Sequence, residues 1–288
     1  MSRFCDIIHS IEKIKISRII QKRCLQTLFS SYILEKKEKL FNSGKSAHAE
    51  GFPQLTNEKV QTEIQEMKDA GMTSEEVQKF YEMSKEEYAY VQEHAEDLYK
   101  DSQKEIKELK ASGQIDEVLP KYEEPEYQHK NQIAAKALGT KGDVLTSYEI
   151  NSGSWSIGVG HAAIVSTNKS KTVEAWAKSW SPINQDGVRR YNNNWGSKKK
   201  VYGLWVKKSN NNKYINAAKY AEKQADNKKK YNFNFFNKKT TAKFYCSQLA
   251  WRSWKNQGID IDNVKWDTVV TPMELVKSNN TTIFYHKG

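Results

Sequence analysis

Every tryptophan in this chain, eight in all, falls between residues 155 and 266 of a 288-residue sequence. Large aromatic side chains supply much of the apolar area that a core buries, so the main folding domain must lie in the C-terminal half. The charge pattern divides the chain at the same place. Residues 1–49 carry 10 basic and 4 acidic side chains, residues 50–135 carry 10 and 21, and residues 136–288 carry 26 and 10. The overall net charge of +11 is thus the average of three unlike segments. They are read as a basic leader or poorly ordered segment (1–49), an acidic helical unit with its linker (50–130), and an α+β domain (136–288).

The leader places Ile7, Ile8, Ile11, Ile14, Ile19 and Ile20 among basic residues, at the spacing of an amphipathic helix. Two readings stand for it: a helix lying on a membrane surface, or an ordinary leader. "SAHAEG" (46–51) has the small residues of a processing site after Ala49, but "ILEKKEKLFNSGK" before it is charged where a signal peptide needs an apolar stretch. The expectation is a protein secreted or held in the cell envelope after cleavage near Ala49, with a cytoplasmic location as the alternative. No stretch approaches 18 apolar residues, so no transmembrane segment is expected.

From Thr56 to Gly113 the period is helical. Thr56 or Asn57 can cap a helix with Val60, Ile64 and Met67 on one stripe, Thr73 or Ser74 a second, and Ser84 a third that ends at Gly113. Glutamates in each first turn suit the helix dipole. This unit holds no recognisable chemistry, and docking of its acidic surface over a basic cleft further along the chain is an expectation from charge alone. "PKYEEPEYQHK" (120–130) reads as the linker.

Beyond it the segments shorten and become β-branched. Residues 142–150, 161–167, 172–178, 201–207 and 282–287 read as strands of a mostly antiparallel sheet, 231–236 as extended, and 212–225 and 246–258 as helices. Three cysteines, Cys5, Cys24 and Cys246, make no paired framework, and one alone belongs to this domain. Cys246 opens the helix "CSQLAWRSWKNQG", where free N–H groups and the positive dipole end favour a thiolate and an oxyanion. A small buried hydrophobe is the competing reading of the same residue. His161 stands at the start of "HAAIVST" after Gly158 and Gly160, and Glu174 lies in the otherwise apolar "TVEAWAK", where an unpaired carboxylate is costly. A two-residue turn at Asn168-Lys169 would set Ala163 opposite Glu174 and place Glu174 on the face of His161, whereas a three-residue loop would put it on the opposite face.

In order, "GDVL", "GHAAIV", "VEA", "YNFNF", "FYCSQLAW" and "TPMEL" resemble the YiiX/YebB-like branch of the NlpC/P60 superfamily, the circularly permuted papain-like cysteine hydrolases. The resemblance covers residues 140–285. It implies a permuted papain-like α+β fold with an antiparallel sheet, preceded here by the acidic all-helical unit, and a triad that maps onto Cys246, His161 and Glu174. Gln248 departs from the pattern, standing where an acidic residue is common. The resemblance implies a thiol-dependent hydrolase cleaving amide bonds, in peptide or peptidoglycan-like substrates of the cell envelope, through a thioester; no cofactor is expected, and no metal, because Cys246 and His161 without further clustered ligands do not make a zinc site. Trp155, Gly160 and Tyr245 are the expected substrate contacts, and Trp155 and Trp195 are candidates for stacking on sugars. An acyltransferase or lipid esterase with the same triad is the alternative. The lysine runs "SKKKVYGLWVKK" and "NKKKYNFNFFNKK" allow a second alternative, a binding module for anionic polymer, although nucleic acid is not the expected partner.

Overall fold

In the computed structural model, which describes residues 52–121, 137–149 and 160–288, the short apolar segments after residue 140 assemble into a six-stranded sheet. Its strands are β1 (Val144–Ser147), β2 (His161–Val165), β3 (Lys171–Trp176), β4 (Gly187–Asn192), β5 (Val201–Val206) and β8 (Thr281–Lys287), and a short parallel pair, β6 (Lys230–Tyr231) and β7 (Lys243–Phe244), lies apart. The order is β4-β3-β2-β1-β5-β8, and every neighbouring pair is antiparallel. The helices are α1 (Glu58–Asp69), α2 (Ser74–Ala111), α3 (Ile115–Val118), α4 (Asn211–Asp226), α5 (Cys246–Lys255) and α6 (Pro272–Lys277). The leader, the processing site at Ala49, most of the linker and Trp155 lie outside the described residues. Among the described residues no helix is long and apolar enough to cross a membrane.

Both faces of the sheet are buried, which explains strands that are apolar nearly throughout. Val144, Ala162, Ile164, Tyr202 and Leu204 belong to one core cluster, with Tyr214 and Ala217 of α4 and Leu249 and Trp254 of α5. Leu145, Ala163, Val165, Val201 and Trp205 alternate with them and belong to a second cluster, with Ile106 of α2 and Leu119. Edge strand β4 has no clear sequence signal because Arg189 and Arg190 interrupt it; charged side chains are what an exposed edge tolerates.

The acidic helices belong to the same compact unit as the sheet, Ala49–Gly288. Asn57 caps α1 by accepting from the Lys59 N–H, and Thr73 caps α2 in a reciprocal box with Glu76. The expected third helix does not begin at Ser84: α2 runs unbroken for 38 residues, and Ser84 is buried in its interior. The reason is continuity of the apolar stripe, since Val77, Phe80, Tyr81 and Val91 all pack inward and no glycine or proline interrupts them. Phe80 stacks on Phe235 with ring centres 4.5 Å apart, Gln103 Nε2 donates to the Ile283 carbonyl at 2.9 Å, and the Tyr202 hydroxyl donates to the Ala95 carbonyl at 3.0 Å. The segment at 231–236, expected as extended, enters β6 for its first residue and then turns.

The β2–β3 hairpin carries the expected register through a different turn. Ile164 pairs with Val173 and Val165 with Thr172, and Ser166 N donates to the Lys171 carbonyl at 3.0 Å. Four residues, 167–170, therefore make the loop instead of Asn168-Lys169 alone. The longer loop spares Lys169 a left-handed position in a two-residue turn, and Asn193 Nδ2 anchors its carbonyl at 2.8 Å. Both loops have an even count, so the side chains keep the same faces.

Candidate active site

His161, the first residue of β2, is fully buried, and its Nε2 lies 2.8 Å from Glu174 Oε2. Glu174 is held from several sides. Trp176 Nε1 donates to Oε2 at 2.9 Å, Trp195 Nε1 donates to Oε1 at 3.0 Å, and the Thr172 hydroxyl donates to Oε1. Thr172, Glu174 and Trp176 are alternate residues of one strand and so share a face. That spacing, threonine and tryptophan two residues either side of a lone glutamate, is the sequence signal that would have found both donors. The two indoles also border the imidazole: the Trp176 ring centre is 4.0 Å away and that of Trp195 5.9 Å. Trp195 is therefore no sugar platform. It is 1% exposed, and its N–H is committed to the carboxylate.

Burial by itself would push the Glu174 carboxyl up, but hydrogen bonds and the charge of His161, with Thr172 and Trp195 behind them, hold it down to about 2. Burial likewise opposes charge on His161. Cys246 outweighs it first, by charge and hydrogen bonding, and Glu174 adds to that, so the imidazole pKa is raised. Nε2 faces Glu174, and the other ring nitrogen, Nδ1, is buried and without a nitrogen or oxygen hydrogen-bond partner among the described residues. The three side chains named from sequence thus come together from the start of β2, the middle of β3 and the start of α5.

Cys246 is 6% exposed, is not in a disulfide, and opens α5. Gln248, which departs from the family pattern, fixes this helix start. Its Oε1 accepts from the Tyr245 N–H and from Asn232 Nδ2, both at 3.1 Å, while its Nε2 donates to the carbonyls of Lys238 and Thr240 at 3.1 and 2.9 Å. An amide can donate and accept at once, whereas an ionised carboxylate here would meet carbonyls. Tyr245 is also buried, and its hydroxyl accepts from the Val270 N–H at 3.0 Å. Burial drives its pKa well above the ordinary phenol value.

Beside the thiol opens a small cavity. Gly160, Tyr245 and Cys246 all line it, so two of the expected substrate contacts face the same space as the thiol. The need for glycine at 160 has another origin. Its φ is +81°, and a Cβ there would sit 1.7 Å from the Ser147 carbonyl oxygen, so the close approach is made by β1. The remaining walls are mostly aromatic and aliphatic, and α2 contributes Phe80, Ser84 and Glu87. No sequence signal singles out these three, because they sit in a helical stripe more than 150 residues from Cys246.

Among the described residues, Asp262, Asp267 and Glu274 form the acidic group whose spacing could hold a metal ion. A cation of the chain is already there: Lys238 Nζ donates to Asp262 Oδ2 at 2.6 Å and Asp267 Oδ1 at 2.5 Å, and to the Val269 carbonyl at 3.0 Å. The third member, Glu274, caps α6 by accepting from the Thr271 N–H at 2.8 Å.

What fold and site together define is an α+β protein, with a fully antiparallel six-stranded main sheet, in which a buried histidine–carboxylate pair meets a cysteine at a helix start. No protein-family model matches the chain, and no curated protein does. A solved structure to which it is similar is that of the metalloprotein YiiX from Escherichia coli O157:H7 (DUF1105). The identity is 15%, the match covers 51% of this chain and 97% of that one, and the TM-score is 0.38.

Proposed function

We propose that the protein is a thiol-dependent hydrolase of amide bonds, with peptides of the cell envelope as its substrates. The observation that carries this reading is the buried His161–Glu174 pair, 2.8 Å apart, set against a cysteine that opens a helix and lines a cavity. In the proposed reaction His161 takes the thiol proton, and the Cys246 sulfur attacks the substrate carbonyl carbon. The positive end of α5 offsets the charge that develops on the oxygen. Collapse of the adduct breaks the C–N bond, and the leaving amine takes the proton from the imidazolium. Water, deprotonated by His161, then cleaves the thioester and returns the thiol. Glu174, clamped by two indoles and a hydroxyl, orients the imidazole through Nε2 and stabilises its charged form.

The apolar walls of the cavity favour one second reading, in which the thioester carries an acyl chain and passes it to an acceptor other than water. One experiment separates the two. Wild type and Cys246→Ala are incubated with muropeptides, simple esters and phospholipids, and Cys246 is followed by mass spectrometry. Peptide release that disappears in the variant supports the hydrolase, whereas fatty acyl adducts from phospholipid support the transferase. No adduct, together with alkylation no faster than that of an ordinary thiol, would remove Cys246 as nucleophile.

A further inference from the structure

Among the described residues, the cavity beside Cys246 has one charged wall residue, and it comes from the acidic helix α2. Glu87 lines the space with Ser84 and Phe80, one and two turns earlier on the same helix. The other polar groups of the wall are largely committed. The Ser247 hydroxyl donates to the Val270 carbonyl at 2.7 Å, the Tyr245 hydroxyl accepts from the Val270 N–H, and the Thr271 hydroxyl donates to Glu87 Oε1 at 2.6 Å. That bond involves one oxygen of Glu87, whose side chain is only partly buried. A carboxylate on the wall of a mostly apolar cavity is best met by an ionised donor.

We infer that the cavity is a subsite for a substrate group bearing a primary ammonium on a short apolar stem, and that Glu87 selects it. This rests on the reading of Cys246 as the reacting group, since the subsite matters for specificity only beside a nucleophile. The apolar walls hold the stem, and the Glu87 carboxylate accepts from the ammonium. An uncharged stem of the same length gains the apolar contact alone. Burial first, and Asp267 in addition, push the Glu87 carboxyl to about 7 against the Thr271 hydrogen bond and the charge of Lys277, and Glu274 is the other carboxyl that faces it. The charge on Glu87 is thus poorly compensated until a cation arrives.

The test uses the full chain at pH 8, where both Glu87 and a primary amine are ionised, and two probes of equal length, n-hexylammonium and n-hexanol, titrated by calorimetry. Wild type is expected to bind the ammonium at least about tenfold more tightly than the alcohol, the size of a charge-assisted hydrogen bond. Glu87→Gln should leave the hexanol affinity as it was and bring the ratio to about one, and Glu87→Leu, with no acceptor at all, should do the same. Equal affinities in wild type, or a preference that survives both substitutions, would overturn the assignment. The measurement is repeated in Cys246→Ala, where the same ratio is expected. Binding there does not depend on the thiol, so failure of the subsite and failure of the nucleophile are read separately.

Discussion

Replacing Glu174 by glutamine tests the electrostatics of the site without emptying its space. The carboxyl titrates at about 2 in the fold against 4.5 for the free group, a difference that corresponds to roughly 3 kcal/mol of stability at neutral pH. A depressed carboxyl contributes its stability above the unfolded pKa and loses it as pH falls through the folded one. The window therefore runs from about pH 5 down to about 2, and at pH 3 roughly 1 kcal/mol should remain. Glutamine keeps an oxygen for the indoles of Trp176 and Trp195 but carries no charge for His161. Urea unfolding followed by tryptophan fluorescence at pH 7, 5, 4 and 3 measures the gap between wild type and Glu174→Gln. It should be widest at pH 7 and shrink by about 2 kcal/mol at pH 3. A gap that stays constant across the series would mean that the carboxylate is not held down by its partners and that the pair is packing, not charge.

Trp195→Phe keeps a ring near His161 and removes the donor to Glu174 Oε1, so stability at pH 7 should fall by about 1.5–3 kcal/mol and by less at pH 3, read in the same urea series. Gly160→Ala must place a methyl group 1.7 Å from the Ser147 carbonyl oxygen at a φ of +81°. A loss of about 3 kcal/mol or more is expected in thermal unfolding, and a loss under about 1 would show that β1 can withdraw. Lys238→Met strands Asp262 and Asp267 with no cation, and should destabilise by about 3–5 kcal/mol at neutral pH as measured by denaturant unfolding.

The parts of the site legible in the sequence are those that chemistry or strand parity marks. Glu174 stands out because a carboxylate inside an apolar strand needs a partner, and the period of two then places it on the face of His161 whatever even-numbered turn joins the strands. The turn itself is not legible, since local residue preference weighs Asn168 without the anchor that Asn193 supplies just beyond β4. Ser84 misleads for a related reason. A serine followed by glutamates is a cap signal when the residues around it are solvated, and here they are not: Phe80 and Tyr81 are buried in the core. Gln248 looks, in the sequence, like a substitution that weakens the motif. In the fold its amide does what one carboxylate could not, accepting from Tyr245 and Asn232 while donating to two carbonyls.

The charge asymmetry that divides the sequence into segments conceals how the fold uses it. An acidic helix beside a basic domain suggests surfaces that meet through ion pairs, and Lys207 Nζ to Glu105 Oε1 at 2.5 Å is one, while His286, whose pKa burial lowers, places Nδ1 3.2 Å from Glu96 Oε2. Both glutamates are partly exposed, so each pair contributes on the order of 1 kcal/mol or less. Apolar burial contributes more. Phe80 on Phe235 and Val77, Tyr81 and Val91 in the same core cluster as Leu249 and Trp254 bury whole side chains, at about 1.5–3 kcal/mol each. Residues 52–121 are therefore bound to the sheet by a shared core more than by opposite charge, and raised salt should leave them in place. That inequality matters for the site. A wall held by screened charges would open and close with ionic strength, whereas one built on Phe80 keeps Ser84 and Glu87 at the cavity as fixed parts of its shape.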